Sequence, residues 1–143
     1  MAKFQRLLVA YDGSPHSKKA LDKAAEFMAE DSSVQTHIVN VTRPPTMGLY
    51  GAYMTEDVLQ ELDKEVEKTI SEAKERLAEY KDTCHFVRLW GYVPQEIINY
   101  AKEHEIDLIM IGSRGLGAFK EMFLGSVSHH VVQQAPCPVL IIK

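Results

Sequence analysis

The stretch "IMIGSRGLGAFKEMFLGSVSHH", residues 109–130, decides how the rest of the chain is read. It leaves an apolar block, passes through a loop holding Gly112, Gly115, Gly117 and Gly125, and enters a segment of helical character. A strand that turns through glycines into a helix is the repeating unit of open α/β sheets. The helix start so presented is a natural anion site, because its first N–H groups lack internal partners and its dipole favours negative charge there.

Working outward, the same alternation recurs along the chain. "FQRLLVAY" (residues 4–11) is a buried strand ended by the turn signal "DGS". "SPHSKKALDKAAEFMAE" follows as a helix, with Ser14 as N-cap, Pro15 in the first position, and Ala20, Leu21, Ala24 and Met28 at helical spacing. "SSVQTHIVNVT" is a second strand. Arg43–Glu56, "RPPTMGLYGAYMTE", reads as a loop long for a compact domain. Its Met47, Tyr50, Tyr53 and Met54 are suited either to covering a ligand or partner or to packing on the next helix.

"DVLQELDKEVEKTISEAKERLAEY" (57–80) is the plainest helix, with Val58, Leu62, Val66, Ile70, Ala73 and Leu77 stepping at i, i+3/i+4. Then come a strand "CHFVRLWG", a helix "PQEIINYAKEHE" opened by Pro94, and a strand "IDLIMIGS" (106–113). A helix across "GSVSHHVVQQA" and a final strand "CPVLIIK" complete the chain. Strands alternating with helices form a parallel sheet, with right-handed crossovers covering both faces. The first and fourth strands are almost wholly apolar, as central parallel strands should be. The 143 residues suit one domain, residues 1–143, without internal repeat.

Composition narrows the function. Sixteen lysines and arginines against 20 aspartates and glutamates give a net charge of −4, which argues against general nucleic-acid binding. It leaves room for a small anion held by backbone N–H groups. No apolar run reaches the length of a membrane span, and the short block after Met1 is cut off by Asp12, so no membrane segment or leader is expected. Cys84 and Cys137 are far apart and outside any C-x-x-C arrangement, and read as reduced, small hydrophobes in a cytoplasmic chain.

In an open parallel sheet, ligands bind beyond the carboxyl ends of the strands, where strand order reverses. Two strand ends carry unusual chemistry: Asp12-Gly13-Ser14 after the first, and Gly112-Ser113-Arg114-Gly115 after the fourth. Gly112 and Gly115 permit positive φ, which would turn N–H groups inward. Gly125-Ser126-Val127-Ser128 opens a helix, Ser126 and Ser128 add hydroxyls, and Arg114 adds positive charge. Asp12 suits either an Asx turn or an acceptor for ribose or base donors. Spacing alone leaves two readings open: a phosphate cradle, or a tight turn with Ser126 merely capping a helix.

Neither G-x-x-x-x-G-K-[ST] nor G-x-G-x-x-G is present, and no G-x-S-x-G elbow marks a nucleophile. His16, His37, His85 and His104 are scattered over different elements, His129 and His130 are adjacent and would face different ways on a helix, and no H-x-x-x-H or Cys/His spacing appears, so no protein metal site is expected.

"LLVAYDGS", "GSRGLGAFKEMFLGSVS" and "APCPVLIIK" together resemble the universal stress protein family over the whole chain. The pattern G-x-x-G-(nine residues)-G-[ST] of its ATP-binding members is matched in register by Gly112, Gly115, Gly125 and Ser126. The resemblance implies a single-domain, open parallel five-stranded sheet in the order 3-2-1-4-5 with helices on both faces, Rossmann-like and of the adenine nucleotide alpha hydrolase type. It implies that Asp12 meets the adenosine and Val41 the adenine, with Ile111 and Gly112 lining the same pocket. Arg114, Gly115, Gly125, Ser126, Val127 and Ser128 would bind ribose and phosphates.

The implied cofactor is ATP, or AMP or ADP, with Mg²⁺ carried on the phosphates. The implied assembly is a homodimer through the last strand, Pro138–Lys143. One departure stands out: the family's G-x-P before the third helix is here "GYVP", with Gly91 three positions ahead of Pro94 and Tyr92 between. The function expected is a cytoplasmic nucleotide-binding stress or signalling protein. With no strong general base or dedicated metal carboxylate beyond Asp12, it would be at most a slow ATPase. The rival expectation is a dimeric interaction module of the same fold that binds no nucleotide. An adenylyl-transferring enzyme is disfavoured by the lack of H-x-G-H.

Overall fold

The computed structural model describes residues 3–44, 55–115 and 124–143. Most of the Arg43–Glu56 loop, with Met47, Tyr50, Tyr53 and Met54, lies outside the described residues, as does Gly117. The elements run β1 (Arg6–Ala10), α1 (Pro15–Glu30), β2 (Gln35–Thr42), α2 (Glu56–Arg76), a 3₁₀ segment (Ala78–Thr83), β3 (Cys84–Trp90), α3 (Val93–Glu103), β4 (Leu108–Gly112), α4 (Ser126–Gln134) and β5 (Val139–Ile142). All sheet pairings are parallel, and the order is β3-β2-β1-β4-β5. This is the expected topology.

The sequence places each strand on its own logic. Successive side chains of a strand point to opposite faces. In β1, Leu7 and Val9 enter a core with Ala20, Leu21, Ala24 and Met28 of α1, and with Ala73 of α2. Leu8, between them, enters a second core with Ile97 of α3, Ile109 and Ile111 of β4, and Val131 of α4. Both faces of β1 and β4 are therefore buried, which explains their continuous apolar spelling.

Helix boundaries follow their caps. The Ser14 hydroxyl accepts from the Ser17 amide at 3.3 Å, and Pro15 occupies the first turn. Thr55 caps α2 by accepting from the Val58 amide, so Glu56 belongs to the helix and not to the loop before it. Glu56 and Asp57 in the first turn of α2, with Lys74 and Arg76 in the last, complement the helix dipole. The apolar stripe of α2 is shorter than its spelling suggests: Val66, Ile70 and Ala73 are buried, but Val58 is exposed.

The long helix expected to reach Tyr80 ends at Arg76. Leu77 is buried, and the chain tightens there into the 3₁₀ segment, with Tyr80 N–H donating to the Leu77 carbonyl at 2.9 Å. Tyr80 itself has φ −115° and ψ 20°, outside helical geometry. A three-residue hydrogen-bond step is a common way to end a helix sharply, and here it turns the chain into β3. Cys84 at the start of β3 is buried with its Sγ 3.8 Å from Met28 Sδ, and burial pushes its thiol up to about 11, so it behaves as a small hydrophobe. Cys137 is only half-buried.

Candidate nucleotide-binding cleft

The order β3-β2-β1-β4-β5 makes β1 and β4 neighbours. From the end of β1 the chain turns to α1 on one face, and from β4 to α4 on the other. The two turns diverge and leave a crevice between them, the expected ligand position in such a sheet.

On the β1 side, the Asp12 carboxylate accepts from the Ser14 amide at 2.9 Å, an Asx turn, and Gly13 takes φ +84°. A side chain at Gly13 would be strained by that φ and would also meet Thr69 of α2. The end of β1 is pinned to β2 twice: Tyr11 N–H donates to the Val39 carbonyl, and the Asn40 amide donates to the Tyr11 carbonyl, both at 3.0 Å. The Tyr11 ring lies in the α1 and α2 core, where burial foremost, and then the Glu72 carboxylate, raise its hydroxyl above the usual range.

On the β4 side, the glycines act by closeness and not by handedness. The expectation of positive φ at Gly112 and Gly115 does not hold; among the described residues only Gly13 and Gly91 have it for glycine. A Cβ at Gly112 would stand 2.7 Å from the Cβ of His16, and one at Gly115 would stand 2.8 Å from a carboxylate oxygen of Asp12. Glycine is needed here because α1 and the Asp12 turn come too near the loop for a side chain. Ser126 does not cap its helix either. Gly125 is the N-cap of α4, with no side-chain cap bond, and Ser126 is an exposed first residue.

The two turns and the start of α4 enclose a cavity of about 470 Å³. That is within the range of small-molecule sites, roughly 300–1,000 Å³. All ten residues singled out from the sequence line it: Asp12, Val41, Ile111, Gly112, Arg114, Gly115, Gly125, Ser126, Val127 and Ser128. Its lining is of two kinds: apolar side chains, Val39 and Val41 of β2, Ile111 of β4, Val93 and Ile97 of α3 and Val127 of α4, which share one hydrophobic cluster, and polar groups, Asp12, Arg114, Ser126, Ser128 and the glycine corners.

The lining residues not singled out from the sequence as site residues are Ala10, Tyr11, Ser14, Ser17, Val39, Val93 and Ile97. Period 2 from Val41 would have found Val39, and period 4 from Val93 would have found Ile97. No group of three His, Cys, Asp or Glu side chains able to hold a metal exists among the described residues.

Tyr92, the residue out of place in "GYVP", does not line the cavity. It is exposed, is the N-cap of α3, and sets its ring edge-on to His130 of α4, with centroids 5.9 Å apart. Gly91 before it has φ +150°, and a Cβ there would meet Glu96 at 2.7 Å. Gly91→Ala should therefore cost about 1–3 kcal/mol of stability, the usual cost of a residue forced into that region. Urea unfolding at neutral pH checks this; an unchanged midpoint would contradict it.

The histidines are not all scattered. His37 of β2 pairs in register with His85 of β3, their ring centroids 4.8 Å apart. His104, just after α3, lies 5.7 Å from His37 and stacks on Tyr100 at 3.9 Å, and the Tyr100 hydroxyl is 2.6 Å from His37 Nδ1. Burial, with His85, His104 and Arg6 nearby, pulls His37 down to about 4. None of these residues lines the cavity.

Residues 3–143 match the family model described as the universal stress protein family. The chain is 41% identical to universal stress protein YxiE of Bacillus subtilis, across 98% of this chain and 99% of that protein. Among solved structures, one described as a universal stress protein in complex with cAMP has a TM-score of 0.73 at 22% identity, covering 99% of this chain and 98% of its own. The universal stress protein of Archaeoglobus fulgidus in complex with dAMP has a TM-score of 0.68 at 22% identity, covering the whole of both chains. With the sheet order, the cavity and the matched residues in agreement, the chain belongs to the universal stress protein family.

Proposed function

We propose that the chain binds an adenine nucleotide, ATP in the first place, in the cleft between the β1 and β4 ends. The observation that carries the reading is one cavity lined both by a cluster of apolar side chains and by the glycine corners, Asp12, Arg114 and the first turn of α4. A purine ring has two apolar faces, and Val39, Val41, Val93, Ile97 and Ile111 supply matching walls. Phosphates need N–H donors and positive charge. The first turn of α4 and Arg114 supply both, and the glycines keep side chains out of the way. Asp12, in the polar part of the lining, would offer an acceptor to a ribose hydroxyl. The cAMP and dAMP complexes of proteins of the same fold support the choice of an adenine nucleotide. Mg²⁺ would enter on the phosphates.

Asp12 is the one carboxylate among the described lining residues, and its Oδ1 already accepts from the Ser14 amide, so the function is read as binding with at most slow hydrolysis. Its role is in cytoplasmic stress response or signalling, as a homodimer through Pro138–Lys143; among the described residues β5 stands at the edge of the sheet, a position suited to strand pairing. Calorimetry with ATP and Mg²⁺ tests the reading. Saturable heat and a rise in Tm are expected, since a ligand at a hundred times its Kd adds about 2.7 kcal/mol to apparent stability. No heat and no Tm shift at millimolar ATP would sink it.

A further inference from the structure

Ser113 is absent from the glycine pattern and does not line the cavity, yet it bonds to several of the elements that build the cleft. It is 4% exposed. Its amide donates to the Ile142 carbonyl of β5 at 2.7 Å. Its carbonyl accepts from the Gly125 amide at 2.7 Å and from the Ser128 hydroxyl at 3.2 Å. Its own hydroxyl is 3.0 Å from Nδ1 of His16 in the first turn of α1. One residue thus ties the end of β4 to the edge strand, to the cap of α4 and to the start of α1.

The energetics of this arrangement are unusual. Gly125 has no side chain with which to cap α4; its amide is taken by the Ser113 carbonyl, and its carbonyl accepts from the Ser128 hydroxyl, which also reaches the Ser113 carbonyl. The direction of that carbonyl therefore decides where the first turn of α4 begins, and the amides of Ser126, Val127 and Ser128 have no intrahelical partner. What holds Ser113 on its other side is His16. The start of α1 also lies close against the preceding residue: a Cβ at Gly112 would fall 2.7 Å from the His16 Cβ.

We infer that His16 and Ser113 form a positioning pair. By anchoring Ser113 to α1, they keep the two glycine corners in register and set the site for phosphorylated nucleosides without touching the ligand. The inference rests on the nucleotide reading of the cleft for its ligand, but the positioning itself is a property of the ligand-free protein.

The test has two arms on the full chain. In the ligand-free protein, amide hydrogen exchange at Gly125 should quicken roughly fivefold to tenfold in His16→Ala and in Ser113→Ala, the factor expected for one ordinary hydrogen bond. It should stay near the wild-type rate in His16→Asn, whose amide can replace Nδ1. In calorimetry, both alanine variants should bind ATP about fivefold to tenfold more weakly, and adenosine within about twofold of wild type. The double variant should lose no more than the worse single one, because the two groups act as one unit. Unchanged Gly125 exchange in His16→Ala overturns the pairing, as does an equal loss for ATP and adenosine. A wild-type chain that binds no nucleotide overturns the reading of the cleft instead, while the exchange rates still decide the pairing.

Discussion

Gly115→Asp is expected to weaken ATP binding at least a hundredfold while leaving a folded protein. The backbone at Gly115 does not have positive φ, and the residue is exposed, so the chain itself tolerates a side chain there. The site does not. The new Cβ would stand 2.8 Å from an Asp12 carboxylate oxygen, whose partner oxygen is held by the Ser14 amide. Asp12 must move, and a second carboxylate then faces the place assigned to the phosphates. One unit of negative charge about 4 Å from another costs about 4 kcal/mol at an effective dielectric of 20. Even half of that exceeds a tenfold loss, and the displaced Asp12 adds to it. Gly115→Ala, with the crowding but not the charge, should fall between. Calorimetric titration with ATP, alongside urea unfolding to confirm the fold, separates the two effects. Wild-type affinity in Gly115→Asp would remove the phosphates from this corner.

The second large effect concerns pH. His37 is held at about 4 in the folded protein, first by burial and then by His85, His104 and Arg6, against an ordinary value of 6.5. Arg6 is itself paired with Glu105, and the Tyr100 hydroxyl bonds His37 Nδ1. The folded pKa is depressed, so between about 4 and 6.5 the unfolded chain binds more protons than the folded one. The stability that the neutral ring contributes is present above 6.5 and is lost as the pH falls toward 4. The full interval corresponds to about 3 kcal/mol, and partial exposure of the ring brings the expected loss to about 2 kcal/mol. His37→Asn should flatten the decline. Urea midpoints of both proteins from pH 7.5 to 4 measure the difference directly; parallel curves would contradict this assignment.

These two predictions draw on different depths of legibility. The fold was plain in the spelling of β1 and β4, where Leu7-Leu8-Val9 and Ile109-Met110-Ile111 are apolar on both faces because helices cover both. The cleft was plain for a related reason, since ligand sites of such sheets fall at strand ends and the glycines mark where chains approach. What the glycines do was not plain. Gly112 and Gly115 admit His16 and Asp12, neighbours about a hundred residues away, and local spacing carries no sign of a neighbour that distant. The end of α2 was misplaced because Leu77 continues the helical stripe in sequence while the 3₁₀ segment begins there in space. The histidine cluster was invisible for want of register: only the pairing of β2 with β3 puts His37 beside His85. Ser113 reads as a loop serine, and its hydrogen bonds reach across the fold to residues 16, 125, 128 and 142.

The most direct test of the central claim is the amide spectrum of ¹⁵N-labelled protein titrated with ATP and, separately, with adenosine. The cleft as described should give saturable shifts at Gly115, Gly125, Ser126 and Val127 with ATP. Adenosine should leave those four nearly still while moving Val41, Ile97 and Ile111. Shifts confined to residues away from the β1 and β4 ends, or none at millimolar ATP, would contradict the account.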